Sequence, residues 1–364
     1  MSMMNDMTLA LASNPYLKLI PQTIGPQRKG AATGSSDARS LSNAFASGSL
    51  YGCFLRNAPE QPWWARGFAQ YNFDFLKRNQ PDGDSIYMED SKWYAKIKGM
   101  AAGKRVMQNA WGLRLDKKKW GRGSQATSDC VSWSKRFMND LLRARRIVLS
   151  GKWEAWIARG ATAGIYSGRG HTGQGADPVQ LTAWLCEIGT LLEIEYDLTS
   201  TGGKKYDFRD YDQYVNWGMS RGRVGMPDDL LAVTSKHKPL GYKVIQDVST
   251  VMDVMAAGGT IGCGADWGVK SSGNPLSGPG PNWSHDMAGC GFDATREFVN
   301  VDVIAVDQSW GGWNSVENVP AAWLPMSEGQ FFVSAEHYQR AVRQGGCTAL
   351  FDGEYFGSPV DNAV

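Results

Sequence analysis

Residues 125–134 read Gln-Ala-Thr-Ser-Asp-Cys-Val-Ser-Trp-Ser, and the change inside them from small polar residues to a helical period sets the reading of the chain. Ser128 or Asp129 is placed to cap a helix that begins near Cys130. From there Trp133, Phe137, Leu141 and Ala144 recur at the spacing of one helix face. Arg143, Arg145 and Arg146 lie toward its C-terminal end, where cations complement the dipole. A second helix is announced by Asp177 as N-cap and Pro178 at the first helical position, and it stops at Gly189. A third is expected after Thr250-x-x-Asp253, close to a capping box, with its end at Gly258-Gly259. The period then changes to short strand-like runs at Thr260–Ala265, Met287–Phe292 and Glu297–Val306. Helices first and strands after them read as an α+β fold.

The composition agrees with a packed chain. Of 364 residues, 42% are hydrophobic, with 15 Trp, 13 Tyr and 13 Phe, and 43 Gly with 15 Pro stay below the ~25–30% that marks low-complexity sequence. Charge is balanced at 38 Lys+Arg against 36 Asp+Glu, net +2, which argues against a general nucleic-acid or membrane-surface binder. No apolar window approaches the ~18 residues of a membrane span. Met1–Ala10 lacks the basic and apolar regions of a secretory signal, so a non-secreted, soluble protein is expected. Residues 1–50, rich in Ala, Ser, Gly and Asn, read as an extended arm. Residues 51–109 are aromatic-rich and read as an accessory segment, and residues 110–364 as the main domain.

Six cysteines at 53, 130, 186, 263, 290 and 347 are spread singly with no CxxC pair, which suits free thiols in a reducing compartment. Five read as small packing side chains. Cys130 differs, because unpaired N–H groups at a helix start stabilise a thiolate and make the sulfur a better nucleophile. Such a nucleophile needs a base, and four histidines exist: 171, 237, 285 and 337. His285 opens a strand-like run, and Gln308-Ser309-Trp310-Gly311 closes the next one. A hairpin of those two strands brings His285 beside the Gln308 amide, with Trp310 as a lid.

In their order and spacing these motifs resemble the papain-like cysteine peptidases over roughly residues 110–345. Gln125 with Asp129-Cys130-Val131-Ser132-Trp133 is similar to that family's oxyanion Gln and Cys-bearing helix start. Gln174-Gly175-Ala176-Asp177-Pro178 resembles its substrate-cleft segment, His285-Asp286-Met287 its His strand, and Gln308-Ser309-Trp310-Gly311 its Asn-Ser-Trp-Gly. Phe331-Phe332-Val333 and the helix containing Tyr338 resemble the variants carried by phages and some bacteria. The resemblance implies a papain-like fold with a helical left half and a β-rich right half, plus an N-terminal extension. It implies Cys130 as nucleophile, His285 as proton acceptor, Gln308 as orienting amide and Gln125 as oxyanion donor, with Gly175, Ala176 and Trp310 lining the substrate. It implies a peptide or protein substrate and no cofactor or metal.

Two departures stand out. Gln308 is one methylene longer than the family's Asn, with Asp307 a substitute only after a one-residue slip. Gln125 lies five residues before Cys130 where six are usual. Two readings therefore stay open: a phage-encoded thiol peptidase, in the host cytoplasm or carried in a virion, or a weakly active or inactive structural protein of the particle. In both, the arm at 1–50 would contact other virion proteins.

Other motifs point to nothing further. Gly168-x-Gly170-x-x-Gly173 spells a dinucleotide fingerprint after the strand-like Ala163–Tyr166, but no helix opens at the third glycine. Lys117–Lys119 and Arg143–Arg146 read as solvated basic faces, and His171, His237 and His337 as structural or solvated residues.

Overall fold

In the computed structural model the described residues are 84–108, 124–150, 158–270, 276–311, 329–352 and 356–357. The arm at 1–50, most of the accessory segment, Cys53 and Lys117–Lys119 lie outside them. Along the chain run α1 (Tyr94–Ile97), β1 (Arg105–Met107), α2 (Cys130–Ser150), β2 (Gly160–Ala161), α3 (Thr162–Tyr166), α4 (Pro178–Ile188) and β3 (Leu191–Leu192). Then come β4 (Glu195–Asp197), β5 (Lys205–Asp207), α5 (Tyr211–Arg221), α6 (Asp228–Thr234), β6 (Gly241–Val244) and α7 (Val248–Ala256). The last elements are β7 (Thr260–Asp266), β8 (Ser284–Asp293), β9 (Val303–Asp307), β10 (Gln330–Ser334), α8 (Ala335–Val342) and β11 (Gly346–Phe351). The fold is α+β, as the element order predicts.

One antiparallel sheet organises the β-rich half, in the order β10-β9-β8-β7-β11-β6, with β1 added along β8. The long strand β8 pairs with β7 through residues 284–289 and with β9 through residues 288–293, and its register slips between Gly289 and Gly291. Its apolar core includes Phe292, Ile304, Val306, Phe331, Phe332 and Leu350. A second, smaller core of Trp184, Leu191, Phe208, Tyr214, Met226 and Leu230 sits among the helices and short β-ladders between residues 160 and 234. Residues 84–108 join the sheet directly: β1 pairs with β8, and Met88 N–H donates to Val244 O at 2.8 Å.

Helix α2 runs between these two bodies, and seventeen of its 21 residues are buried. Its amphipathic period gives the apolar positions correctly, but the polar face is also covered. Lys135, Arg136, Asn139, Asp140, Arg143 and Arg145 are all buried, so each charge needs a partner. Lys135 Nζ reaches Asp286 Oδ2 on β8 at 3.1 Å and Thr348 Oγ1 on β11 at 3.1 Å. Thr348 in turn shares a proton with Thr182 of α4 at 3.0 Å. Gly262 on β7 leaves the room: a Cβ there would stand 2.7 Å from Lys135 Nζ and 2.6 Å from Met138 Sδ.

Several local expectations are corrected. Arg143 and Arg145 are not a solvated basic face; Arg143 bonds Asp140 and Ala158 O, Arg145 bonds Gly258 O, and Arg146 pairs with Asp352 at 2.8 Å. The third helix is capped three residues before Thr250, by Asp247, whose carboxylate accepts from Ser249 N at 2.8 Å. Residues 163–166 are helical, because the strand that precedes them is only two residues long. Of the run Glu297–Val306 only Val303–Val306 is strand; Arg296, in left-handed backbone, pairs with Asp302 and holds the preceding residues as a turn. The glycine motif at 168–173 is filled by protein: a Cβ on Gly168 would stand 2.3 Å from the Trp184 ring, and Arg169 Nε donates to Gly173 O at 2.8 Å. That leaves no cradle for a pyrophosphate.

Removing one member of the buried ion pair leaves the other charged and unmatched. Lys135→Met is expected to destabilise by about 3–5 kcal/mol, and Lys135→Met with Asp286→Leu to recover most of it. Urea denaturation midpoints of the two variants measure this.

Candidate active site

Asp177 caps α4 as the sequence predicts, accepting from Gln180 N at 2.8 Å with Pro178 behind it, and this places Gly175 and Ala176 beside the start of α2. Gly175 sits in left-handed backbone (φ +78°), which glycine adopts without strain, and its N–H donates to Ser128 O at 3.2 Å. Ser128 Oγ donates to Gln174 Oε1 at 2.8 Å. Ala176 itself is packed in the sheet core with no exposed surface, so it does not line an open cleft as the sequence suggests.

Cys130 is the first residue of α2, and the Asp129 carbonyl accepts the first helical bond from Trp133 N at 3.1 Å. The residues before it are stitched to the turn that follows β9. Ser124 and Trp310 form an antiparallel bridge, Gln125 N donates to Ser309 O at 2.7 Å, and Ser309 Oγ donates to Gln125 Oε1. The other end of the Gln125 amide donates to Thr127 O at 2.9 Å. The five-residue interval from Gln125 to Cys130 is thus closed as a tight loop. Two segments 184 residues apart in sequence are joined there.

His285 lies on β8 opposite Ala265 of β7. The β8–β9 register pairs Ala288 with Asp307; continued past Asp307 it sets Trp310 across from His285, and their ring centroids are 4.0 Å apart. Trp283 packs on the other rings, 4.9 Å from Trp310 and 6.0 Å from His285. Trp267 Nε1 holds the His285 carbonyl at 2.9 Å. Burial drives the His285 pKa down to about 3, so the imidazole is neutral at ordinary pH. Cys130 and His285 both have no exposed surface.

Gln308 shares the His285 face by strand alternation, and its amide is anchored to its own turn: Oε1 accepts from Trp310 N and Nε2 donates to Gly311 O at 3.1 Å. The extra methylene is used to fold the side chain back in this way. Asp307 is on the opposite face, paired across from Ala288, and its carboxylate accepts from Gln330 Nε2 at 2.8 Å. No register slip brings it round.

The sequence reading assigned no role to Ser309 or Trp283. Trp283 was accessible to it, since a period of two puts residues 283 and 285 on one strand face. The Ser309 hydroxyl was not, because its partner is set only by the long-range bridge to residue 124.

No family model and no curated protein matches this chain. Among solved structures it is similar to xylellain, a cysteine protease from Xylella fastidiosa, at 13% identity and a TM-score of 0.42 over 68% of this chain and 90% of that one. It is similar to the digestive procathepsin L 3 of Tenebrio molitor larval midgut at 11% identity and a TM-score of 0.39, covering 96% and 100%. The Carica candamarcensis cysteine protease CMS1MS2 gives 11% and 0.39, covering 68% and 98%. Likeness this slight carries no weight for what the chain does.

Burial raises the Asp307 pKa to about 8. Its folded value lies above the unfolded one, so its contribution is full below about pH 4 and is lost as pH rises toward about 8. Asp307→Asn keeps an acceptor for Gln330 and is expected to raise Tm by a few degrees at pH 8.5 and little at pH 4, as read by thermal melts across pH.

Proposed function

We propose that the protein is a papain-like, thiol-dependent peptidase acting on a peptide or protein amide, without a cofactor. The observation that carries this reading is the joining of the Gln125 loop to the Ser309-Trp310 turn. It ties the loop before the Cys130 helix to the turn whose Trp310 ring lies against His285. Cys130 Sγ gives its proton to the neutral His285 imidazole and attacks the carbonyl carbon. As the S–C bond forms, the carbonyl π pair moves to oxygen, where the Cys130 N–H and the Gln125 amide stabilise it. Collapse breaks the C–N bond, and the leaving amine takes the proton back from His285. Water then hydrolyses the thioester and frees the thiol.

Gly175 gives an extended substrate backbone a wall without a Cβ, and Gln308 orients the site through the Trp310 turn on which His285 packs. The finer reading, a phage-encoded enzyme carried in a virion, is supported by the Phe331-Phe332-Val333 strand leading into the Tyr338 helix, together with the low-complexity composition of residues 1–50. Its test is immunodetection of the chain in purified particles.

Wild type is expected to cleave members of a fluorogenic peptide library and to be alkylated at Cys130 by iodoacetamide faster than free cysteine. Cys130→Ala abolishes both. Gln125→Ala is expected to lower kcat/KM by ~10²–10³ while leaving Cys130 alkylation in place. A wild type with neither activity sinks the reading.

A further inference from the structure

Tyr211 is the first residue of α5, far from the candidate site in sequence, yet its hydroxyl enters the loop that leads to Cys130. The oxygen accepts from Ala126 N at 3.1 Å, and the proton is donated to the Asp129 carboxylate, with Oδ1 at 3.0 Å and Oδ2 at 2.9 Å. Thr162 Oγ1 adds a longer donor to the same carboxylate at 3.4 Å. A hydroxyl offers one donor and two acceptor positions, so this one group ties both ends of residues 126–129 at once.

The ring carrying the hydroxyl has little freedom. Asp210 caps α5, accepting from Asp212 N at 3.1 Å. The Tyr211 ring lies 5.0 Å from Trp133 of α2 and 5.5 Å edge-on from Tyr214, and the Arg136 guanidinium stands 4.4 Å from the Trp133 ring centroid. Trp133 is one turn along from Cys130, so the same helix holds Cys130 and the ring that packs against Tyr211. The rest of the loop is tied internally, to the neighbouring turn or to the cleft segment: Asp129 N to Thr127 O at 2.9 Å, Gln125 Nε2 to Thr127 O, Gln125 N to Ser309 O, Ser128 Oγ to Gln174 Oε1 and Gly175 N to Ser128 O. The Ala126 N–H points the other way, and Tyr211 accepts it.

We propose that Tyr211 is a positioning residue for the oxyanion loop, setting the path of residues 125–129 so that the Gln125 amide and the Cys130 N–H converge on a substrate carbonyl oxygen. This rests on the peptidase reading above. Tyr211 touches neither substrate nor reacting atoms; it acts through Ala126 and Asp129. The consequence is specific, because a displaced loop weakens stabilisation of charge on oxygen and leaves the sulfur itself unaltered.

The test separates acyl transfer from alkylation. Iodoacetamide forms an S–C bond and releases iodide without building an oxyanion, so it reports the thiol alone. Tyr211→Phe keeps the ring packed against Trp133 and removes only the hydroxyl. The expected result is a fall of roughly tenfold in kcat/KM on the library peptide, carried by kcat with KM within about twofold. Cys130 alkylation is expected to stay within about twofold of wild type. Asp129→Asn keeps an oxygen acceptor for Tyr211 and is expected to retain most of the activity, whereas Asp129→Ala falls with Tyr211→Phe. An active wild type whose kcat/KM is unchanged in Tyr211→Phe overturns the clamp and leaves the peptidase reading standing. Equal losses of hydrolysis and alkylation also overturn it, since they show a general disturbance of Cys130. A wild type that neither cleaves peptide nor shows accelerated alkylation fails the peptidase reading and the clamp with it.

Discussion

A helix with seventeen of its 21 residues buried has to match the charges it carries inside, and that requirement arranges much of the described molecule around α2. Lys135 is the clearest case: one ammonium joins α2 to β8 through Asp286, to β11 through Thr348, and by way of Thr348 to α4 through Thr182. Desolvating two charges is costly, and the net gain from such a pair is small compared with the cost of breaking it. Its value lies in geometry. Asp286 is the neighbour of His285, and Lys135 follows Cys130 by little more than one turn, so the pair fixes the Cys130 helix against the His285 strand.

The same dependence appears at the two ends of the site. The Gln125 loop takes its shape from partners outside itself, Ser309 on one flank and Tyr211 on the other, and the cleft segment is pinned to it through Gly175 and Ser128. His285 is enclosed by Trp283 and Trp310, with Trp267 on its carbonyl. Burial of that ring keeps it neutral and disfavours a standing charge. Gln308 stands as the departure with a physical consequence. A longer side chain closes on its own turn, and the ring that lies against the histidine is Trp310.

Much of this was legible in the residues because it is local. The Asp177-Pro178 start, the apolar face of α2 and the strand runs at 260 and 287 follow from capping chemistry and periodicity, which need only neighbours in sequence. The misreadings have two causes. Arg143 and Arg145 on a polar helix face read as solvated, because composition does not reveal the chain packed over them. The cap at Asp247 was missed in favour of a motif three residues on, since both sites carry acceptable residue types.

By itself the sequence determined the α+β order, the helix start at Cys130, the pairing of the strands that carry His285 and the Gln308 turn, and the Trp310 ring as a cover for the histidine. Those are set by propensity, spacing and strand register. Only the tertiary structure decided what holds them together: the Lys135–Asp286 pair, the Ser309 hydroxyl on Gln125, and Tyr211 reaching from α5 to Ala126 and Asp129. Each of these links residues more than 80 positions apart, and a contact between distant segments exists only once packing has set the distance between them.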